Sequence, residues 1–503
     1  MRSLRHPVTL SPLYTSRFTA AALALGLAVA RLPLEHSLVL IVGAALVGAS
    51  VWEPALGLGL AVIFGPAKAF LAIARPDLPS DLGQIFFALA VAGWAARGLA
   101  RRQIILPRLR LLLPLGLYSF VGLLSLLRAG SLEEGLKELL KWGEITLGMV
   151  ILAAEAARHR RVAPGIFESR VKWIVAAILV AGAAQAAIGL WQFQFWEAGP
   201  ETFRIFGDHF RAYGSFEQPN PYGGFLGLIW PLAAGMALGG LGRQHAARAE
   251  GSPSAHRLRP PAYGLLPSAL FALIAVLCLV ALYVSFSRGA WLGAAAAVLA
   301  MLIFLPRRMS VGLGLVAAAL ALGWGFARAG LLPASLTARL ADVADFTTLT
   351  DVRGVNINDA NFAIVERLAH WQAAGEMARA QPWLGVGLGN YPTAYPAFRL
   401  LNWPNALGHA HSIYLNVLAE TGVFGLMTYV ILWGAIIGLT MRVTRRTEGA
   451  TRGLALGLLG AWAHLSAHHL VDNLYVNNIH LLLAALLALL VHISQPQKDM
   501  ALD

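Results

Sequence analysis

The chain has 503 residues, 57% of them hydrophobic and only 13% charged, with a mean hydropathy of +0.64. This excludes a soluble protein of ordinary globular domains. The formal charge of +13 does not point to nucleic acid, because the arginines fall in short segments between apolar blocks, where membrane topology accounts for them. The single Cys278 lies inside an apolar block, which excludes an intrachain disulfide and a cysteine-built metal cluster.

Taken in order, apolar blocks predict helices over Phe18–Leu32, Ser37–Val51, Ala55–Ile73, Leu82–Ala96, Leu111–Leu127 and Leu136–Ala154. Trp173–Phe193, Tyr222–Leu241, Leu265–Tyr283, Gly289–Leu305 and Val311–Ala327 follow, and after a long polar interval come Ser412–Leu439, Gly453–Leu470 and Ile479–Ile493. The expected fold is therefore an all-α polytopic membrane protein, one transmembrane domain over residues 1–503 with about 14 transmembrane helices, in a range of roughly 12–14. Phe18–Leu32, preceded by Arg2, Arg5 and Arg17, reads as a first transmembrane helix and not as a cleavable signal.

With the N-terminus cytoplasmic, the cytoplasmic loops collect the positive charge: Arg97, Arg101 and Arg102, then Arg158, Arg160 and Arg161, then Arg243 and Arg248, Arg307 and Arg308, and Arg442, Arg445 and Arg446. Opposite loops are nearly bare of it; residues 471–478 have no Lys or Arg, and the interval 194–221 has only Arg204 and Arg211. Both termini are therefore expected in the cytoplasm. The outer face then carries two long intervals, roughly 194–221 and 328–411. The second opens with Asp342, Asp345, Asp351 and Asp359, and continues into an amphipathic helix on which Leu368, Trp371, Ala374, Met377 and Ala378 recur at helical spacing. The Arg- and Pro-containing cytoplasmic segment from Arg243 to Pro261 is expected to be mobile.

Three chemistry-bearing residues fall on the expected outer surface. Arg211 precedes AYGSFEQPNPYGGF, which includes Asn220; Arg288 lies in the turn SFSRGAW; His411 opens the helix after the long interval. Arginine at the end of an apolar helix anchors the interface, or it binds an anion in a bidentate way. A neutral imidazole beside such a site can take a proton from an attacking hydroxyl. Other motifs carry less. GVGLGN has no strand before it and no βαβ unit around it, so it is not a dinucleotide fingerprint. His464, His468 and His469 with Asp472 have ligand types for a metal but lack a HExxH order or any Cys, and His409 with His411 has no carboxylate nearby in sequence. No metal is expected at either place. Asn416 and Glu420 lie inside the helix after His411, as functional groups or as polar links between helices.

At these residues the chain resembles the O-antigen ligase family, within the superfamily that also holds O-antigen polymerases and bacterial protein O-oligosaccharyltransferases. The matching pieces are RAYGSFEQPNPYGGFL, SFSRGAWLGA, PWLGVGLGNYP and HAHSIYLNVLAETGVFG, in that order, with His411, Ser412, Leu415, Glu420 and Gly422 fitting the family pattern. The resemblance runs from about Trp173 to the C-terminus. It implies a glycosyltransferase of GT-C type at the outer face of the cytoplasmic membrane, inverting, with no cofactor and no required metal. Its donor would be a glycan on undecaprenyl diphosphate, its lipid tail among membrane lipids, and its acceptor a glycan, lipid or protein hydroxyl. His411 takes the role of base, Arg211 and Arg288 hold the donor diphosphate, and Asn220, His409, Ser412 and Glu420 are possible supporting residues. The longer N-terminal half and VNINDANFAIVERLAHWQAA depart from a typical ligase and leave the acceptor open. A polymerase or a protein O-oligosaccharyltransferase would use the same donor site; a transporter binding a small anion, or a structural subunit, is the reading from another class.

Overall fold

The computed structural model describes residues 33–76, 79–103, 109–162, 164–196, 199–206, 209–249, 262–332, 351–358 and 361–495, with the single residues 26, 31, 107 and 337. The expected helix Phe18–Leu32 lies almost wholly outside them, as do Asp342, Asp345, Asp359 and the end of the Arg243–Pro261 segment. A helix occupies every other predicted block. In chain order these are α1 (Leu34–Trp52), α2 (Pro54–Phe64), α3 (Lys68–Ala74), α4 (Leu82–Ala100), α5 (Leu112–Ser125), α6 (Leu132–Val162), α7 (Pro164–Phe195) and α8 (Pro219–Ala249). There follow α9 (Ala262–Tyr283), α10 (Arg288–Phe304), α11 (Met309–Arg328), α12 (Phe362–Ala380), α13 (Tyr391–Phe398), α14 (Ile413–Arg446), α15 (Gly449–His468) and α16 (Ile479–Ser494).

Among the described residues, seven helices are long and apolar enough to cross a membrane, and four apolar helices are shorter. The difference from about fourteen has physical causes. The first turns of α6 are too charged to count, with Glu133, Glu134, Lys137, Glu138 and Lys141 on its cavity end. α15 is buried along its length and carries glycines and histidines instead of lipid-facing aliphatics. The interval 194–221 adds one element foreign to an all-α fold, an antiparallel ribbon of β1 (Arg204–Phe206) and β2 (His209–Phe210).

The centre of the bundle is a close pairing of α8 and α15. A Cβ added at Gly239 would lie 2.8 Å from the Gly449 carbonyl oxygen, and one at Gly453 would lie 2.8 Å from Gly239 Cα, so the two backbones touch where only glycine leaves room. α10 packs on this pair and α16 lies against α6, while α1 and α11 stand at the periphery with only 11% and 6% of their membrane-length windows buried. The predicted amphipathic helix is α12. Leu368, Ala374 and Met377 are buried as its spacing predicts, whereas Trp371 is half-buried and turned toward the HAH turn.

One feature of α14 is not helical. Gly422 has φ 65° and ψ −165°, and the break admits the chain segment before α13. Val386 N–H donates to Ala419 C=O at 2.9 Å, Gly387 N–H to Glu420 C=O at 2.9 Å, and Val423 N–H to Pro382 C=O at 2.8 Å. A Cβ at Gly422 would meet Leu384 N at 2.6 Å. The GVGLGN glycines thus stitch a loop into a kinked helix, which is the structural use of a motif that resembles a phosphate loop.

Candidate active site

The HAH turn is fixed from three sides. Asn416 Oδ1, one turn into α14, accepts the Ala410 N–H at 3.0 Å; Ile413 N–H donates to His469 C=O at 3.0 Å; and Trp371 Nε1–H of α12 donates to His411 C=O at 3.2 Å. His411 itself is left-handed, with φ 51°. Histidine tolerates that region better than most residues, and the surrounding bonds hold it there.

The loop between α15 and α16 brings Asp472 to this turn. One carboxylate oxygen, Oδ1, lies 3.8 Å from His409 Nε2 and 3.8 Å from His411 Nδ1, too long for hydrogen bonds and suited to charge pairing. Burial by itself would raise the Asp472 carboxyl, but the imidazole of His411, with His409 and His468, overrides it and holds the group below the usual carboxylate range. Burial, and after it the neighbouring His411, pushes His409 down to about 4, so His409 is neutral near pH 7. His370 of α12 is pushed to about 3 by burial and by His411 and His409; its ring lies 5.5 Å from that of His411, and Nδ1 pairs with Tyr391 Oη at 2.9 Å.

The expectation that HAH has no carboxylate partner is corrected: sequence distance concealed Asp472, and the donor atoms of His409, His411 and Asp472 lie within 4.8 Å of one another, near enough to share a metal ion. The tautomers speak against it. His411 N–H donates to His409 Nδ1 at 3.1 Å, which puts the proton of neutral His409 on Nε2, the atom facing Asp472. A metal on that nitrogen would have to break this bond. The second group of histidines does not gather round Asp472, which turns to HAH, while His464, its ring 5.6 Å from that of His468, packs where Gly227 and Gly293 leave space in the core.

HAH and Asp472 border a cavity of about 800 Å³. Its other walls come from distant elements: Glu134, Lys137, Glu138 and Lys141 of α6, Glu217 and Asn220 before and in α8, Asn416 and Glu420 of α14, and Tyr475 and Asn477 of the α15–α16 loop. Carboxylates, amides and aromatic rings on one wall suit a polyhydroxylated ligand. The two lining lysines are already paired, Lys137 with Glu134 at 2.8 Å and Lys141 with Glu138 at 2.6 Å. Glu420 accepts the Tyr391 N–H at 2.9 Å, so its carboxylate holds the stitched loop as well as lining the cavity. Ser412 is buried at the N-cap of α14 and its hydroxyl caps no N–H.

Arg211 and Arg288 meet at the Ser285 turn. Arg211 Nε–H donates to Ser285 C=O at 2.9 Å and a terminal N–H to Asn220 Oδ1 at 3.3 Å; Arg288 begins α10 just beyond Ser285. The two are thereby brought to one turn, and Asn220 links Arg211 to the cavity, but neither arginine is among its described lining residues. Gly289, next to Arg288, packs on His468 and Val471, directly before Asp472.

The O-antigen ligase family model matches residues 273–430. That stretch is an O-antigen ligase domain. No match to the chain is found among the curated proteins. This similarity to the O-antigen ligase family, together with the membrane-length helices, supports a membrane protein. Arg288, His409, His411, Ser412 and Glu420 lie within the matched residues; Arg211, Asn220 and Asp472 lie outside them and reach the site through the fold. Asp472, His370, Trp371 and the charged end of α6 were not read as parts of the site from sequence. Only Asp472 left a signal, as a lone acid in a loop otherwise free of charge at an expected outer end.

Proposed function

We propose that the protein transfers a glycan from undecaprenyl diphosphate to an acceptor hydroxyl at the outer face of the cytoplasmic membrane, in a fold of GT-C type with both termini cytoplasmic. The observation that carries the reading is His411, inside the O-antigen ligase domain, facing Asp472 from outside it at the edge of a large polar cavity. In the proposed step the acceptor oxygen attacks the anomeric carbon. The bond from that carbon to the diphosphate oxygen breaks, undecaprenyl diphosphate leaves with the electron pair, and the acceptor proton passes to the His411 imidazole. Asp472 faces Nδ1 and stabilises the imidazolium that forms. Arg211 and Arg288 neutralise the diphosphate, and Asn220 orients Arg211. His409, neutral near pH 7, lies 3.8 Å from the same Asp472 oxygen. No step requires a metal.

The test is transfer by the purified protein from an undecaprenyl-diphosphate glycan, together with surface-glycan analysis of a deletion in the native host. His411→Ala and Arg288→Ala are expected to abolish transfer while inserting and folding normally; full activity in both sinks the assignment. Loss of the capped acceptor in the deletion means a ligase, shortened chains mean a polymerase, and unchanged glycan with altered solute uptake means a transporter.

A further inference from the structure

The segment carrying Asp472 is held by residues from the N-terminal third of the chain, far outside the O-antigen ligase domain. It contributes Asp472, Tyr475 and Asn477 to the cavity wall and ends in two consecutive left-handed residues, Asn477 at φ 47° and Asn478 at φ 61°. Two adjacent non-glycine residues in that region are costly and persist only where their surroundings over-determine them. Here the surroundings are a polar cluster, buried at Asn478, Glu144 and His480 and half-exposed at Lys68 and Asp81. Asn478 Nδ2–H donates to Asp81 Oδ1 at 2.7 Å, and the other Asp81 oxygen pairs with Lys68 Nζ at 2.6 Å. Gln84 Nε2–H reaches Glu144 at 2.9 Å, and Glu144 in turn pairs with His480 Nε2 at 2.6 Å, two residues beyond Asn478. Four elements that no catalytic role has claimed, from the break before α3 through α4 and α6 to the start of α16, thus converge on the end of one loop. Ionisable groups inside a membrane protein are kept where they serve a site or bind helices that serve one.

We infer that Asn478 and its partner Asp81 are positioning residues for the transfer reaction: they fix the α15–α16 loop so that Asp472 meets His411. The inference rests on the transferase reading for its kinetic consequence but not for its structural one. At the other end of the loop Asp472 has only two 3.8 Å contacts with HAH. Its Oδ1 also accepts the Asn473 N–H at 2.8 Å, and Val471 N–H donates to His468 C=O at 3.1 Å, so α15 sets the near end of the loop and the Asn478–Asp81 anchor sets the far end. Lys141 Nζ–H to Tyr475 C=O at 3.2 Å and Asn477 Nδ2–H to Phe216 C=O at 3.3 Å brace the middle.

Asn478→Ala is expected to lower kcat between about 10- and 100-fold, the scale of a misplacement near 1 Å, with KM for the lipid-linked donor unchanged. The deciding measurement is a double-mutant cycle. If Asn478 acts through Asp472, Asn478→Ala in an Asp472→Asn background lowers kcat no further, whereas a general folding defect multiplies the two losses. Asn478→Asp sets two carboxylates against each other and should be the worst single variant. Combining it with Asp81→Asn restores an amide–carboxylate pair and should recover most of the rate. Wild-type kcat in Asn478→Ala, multiplicative losses, or no recovery in the swapped pair overturns the inference. Should the wild-type protein transfer no glycan at all, the transferase reading falls. The positioning claim then stands or falls on amide hydrogen exchange in full-length protein: Asn478→Ala must speed exchange over residues 471–478 and leave α8 and α15 unchanged.

Discussion

Asp472→Asn removes one charge and almost no volume, so it isolates what the carboxylate does for His411. In the proposed step His411 becomes an imidazolium with Nδ1 3.8 Å from Asp472 Oδ1. A unit charge pair at that distance is worth roughly 4 kcal/mol at an effective dielectric of about 20 and about 2 kcal/mol at about 40, which bracket a buried site opening on a wet cavity. Since about 1.4 kcal/mol is tenfold in rate, kcat should fall between roughly 30- and 1,000-fold. The imidazolium exists only as the proton moves, so donor binding should change little and the loss should appear in kcat and not in KM. The assay is transfer from an undecaprenyl-diphosphate glycan in detergent or nanodiscs, with thermal unfolding run in parallel. A variant within threefold of wild type, or one whose whole loss lies in KM, refutes the pairing.

Chelation gives a second expectation: because the His409–His411 backbone bond leaves a protonated nitrogen facing Asp472, transfer should persist in excess EDTA, and its collapse with rescue by zinc would reverse that conclusion. Stability should depend on pH through the neutral histidines. His370 and His409 titrate near 3 and 4 when folded and near the ordinary 6.5 when unfolded, so between about 6.5 and 4 the unfolded chain binds more protons and stability falls as pH falls. The unfolding temperature should drop from pH 7 to 4.5 and drop less in His370→Asn; a flat profile contradicts the burial of these rings. Gly422→Ala forces a Cβ against Leu384 N in a backbone region that only glycine favours, so it should cost about 3 kcal/mol or more and release the stitched loop to protease. Unchanged proteolysis of residues 382–390 would mean that the stitch is dispensable.

Much of the framework was legible because apolar block length is a strong signal. Helices lie over Ser37–Val51 and every later block, and α12 was visible in the spacing of Leu368, Ala374 and Met377. The count of spans was less legible, since charge on the first turns of α6 and glycine in α15 uncouple helix from lipid-facing helix. His411 was singled out by its motif, but its neighbour Asp472 was not. Asp472 belongs to another loop, and only the packing of α15 beside α14 closes that distance. Glu420 and Asn416 were ambiguous from sequence because a polar residue in an apolar helix looks the same whether it binds substrate or a backbone N–H; here each accepts one. The kink at Gly422 was invisible within a single predicted helix, because a single glycine leaves periodicity intact.

The backbone contact between α8 and α15 sets a limit on motion. Gly235 and Gly239 interlock with Gly449, Gly453 and Gly457 so closely that displacing one helix along the other would drive side chains into peptide groups. This pair cannot act as a sliding bearing. A machine that carried its cargo across by rocking one half against the other would have to place its hinge elsewhere, whereas a stationary template is served by such a joint. Asn220 is at the start of α8 and Asp472 just follows α15, so two walls of the cavity are mounted on the two sides of one immobile weld.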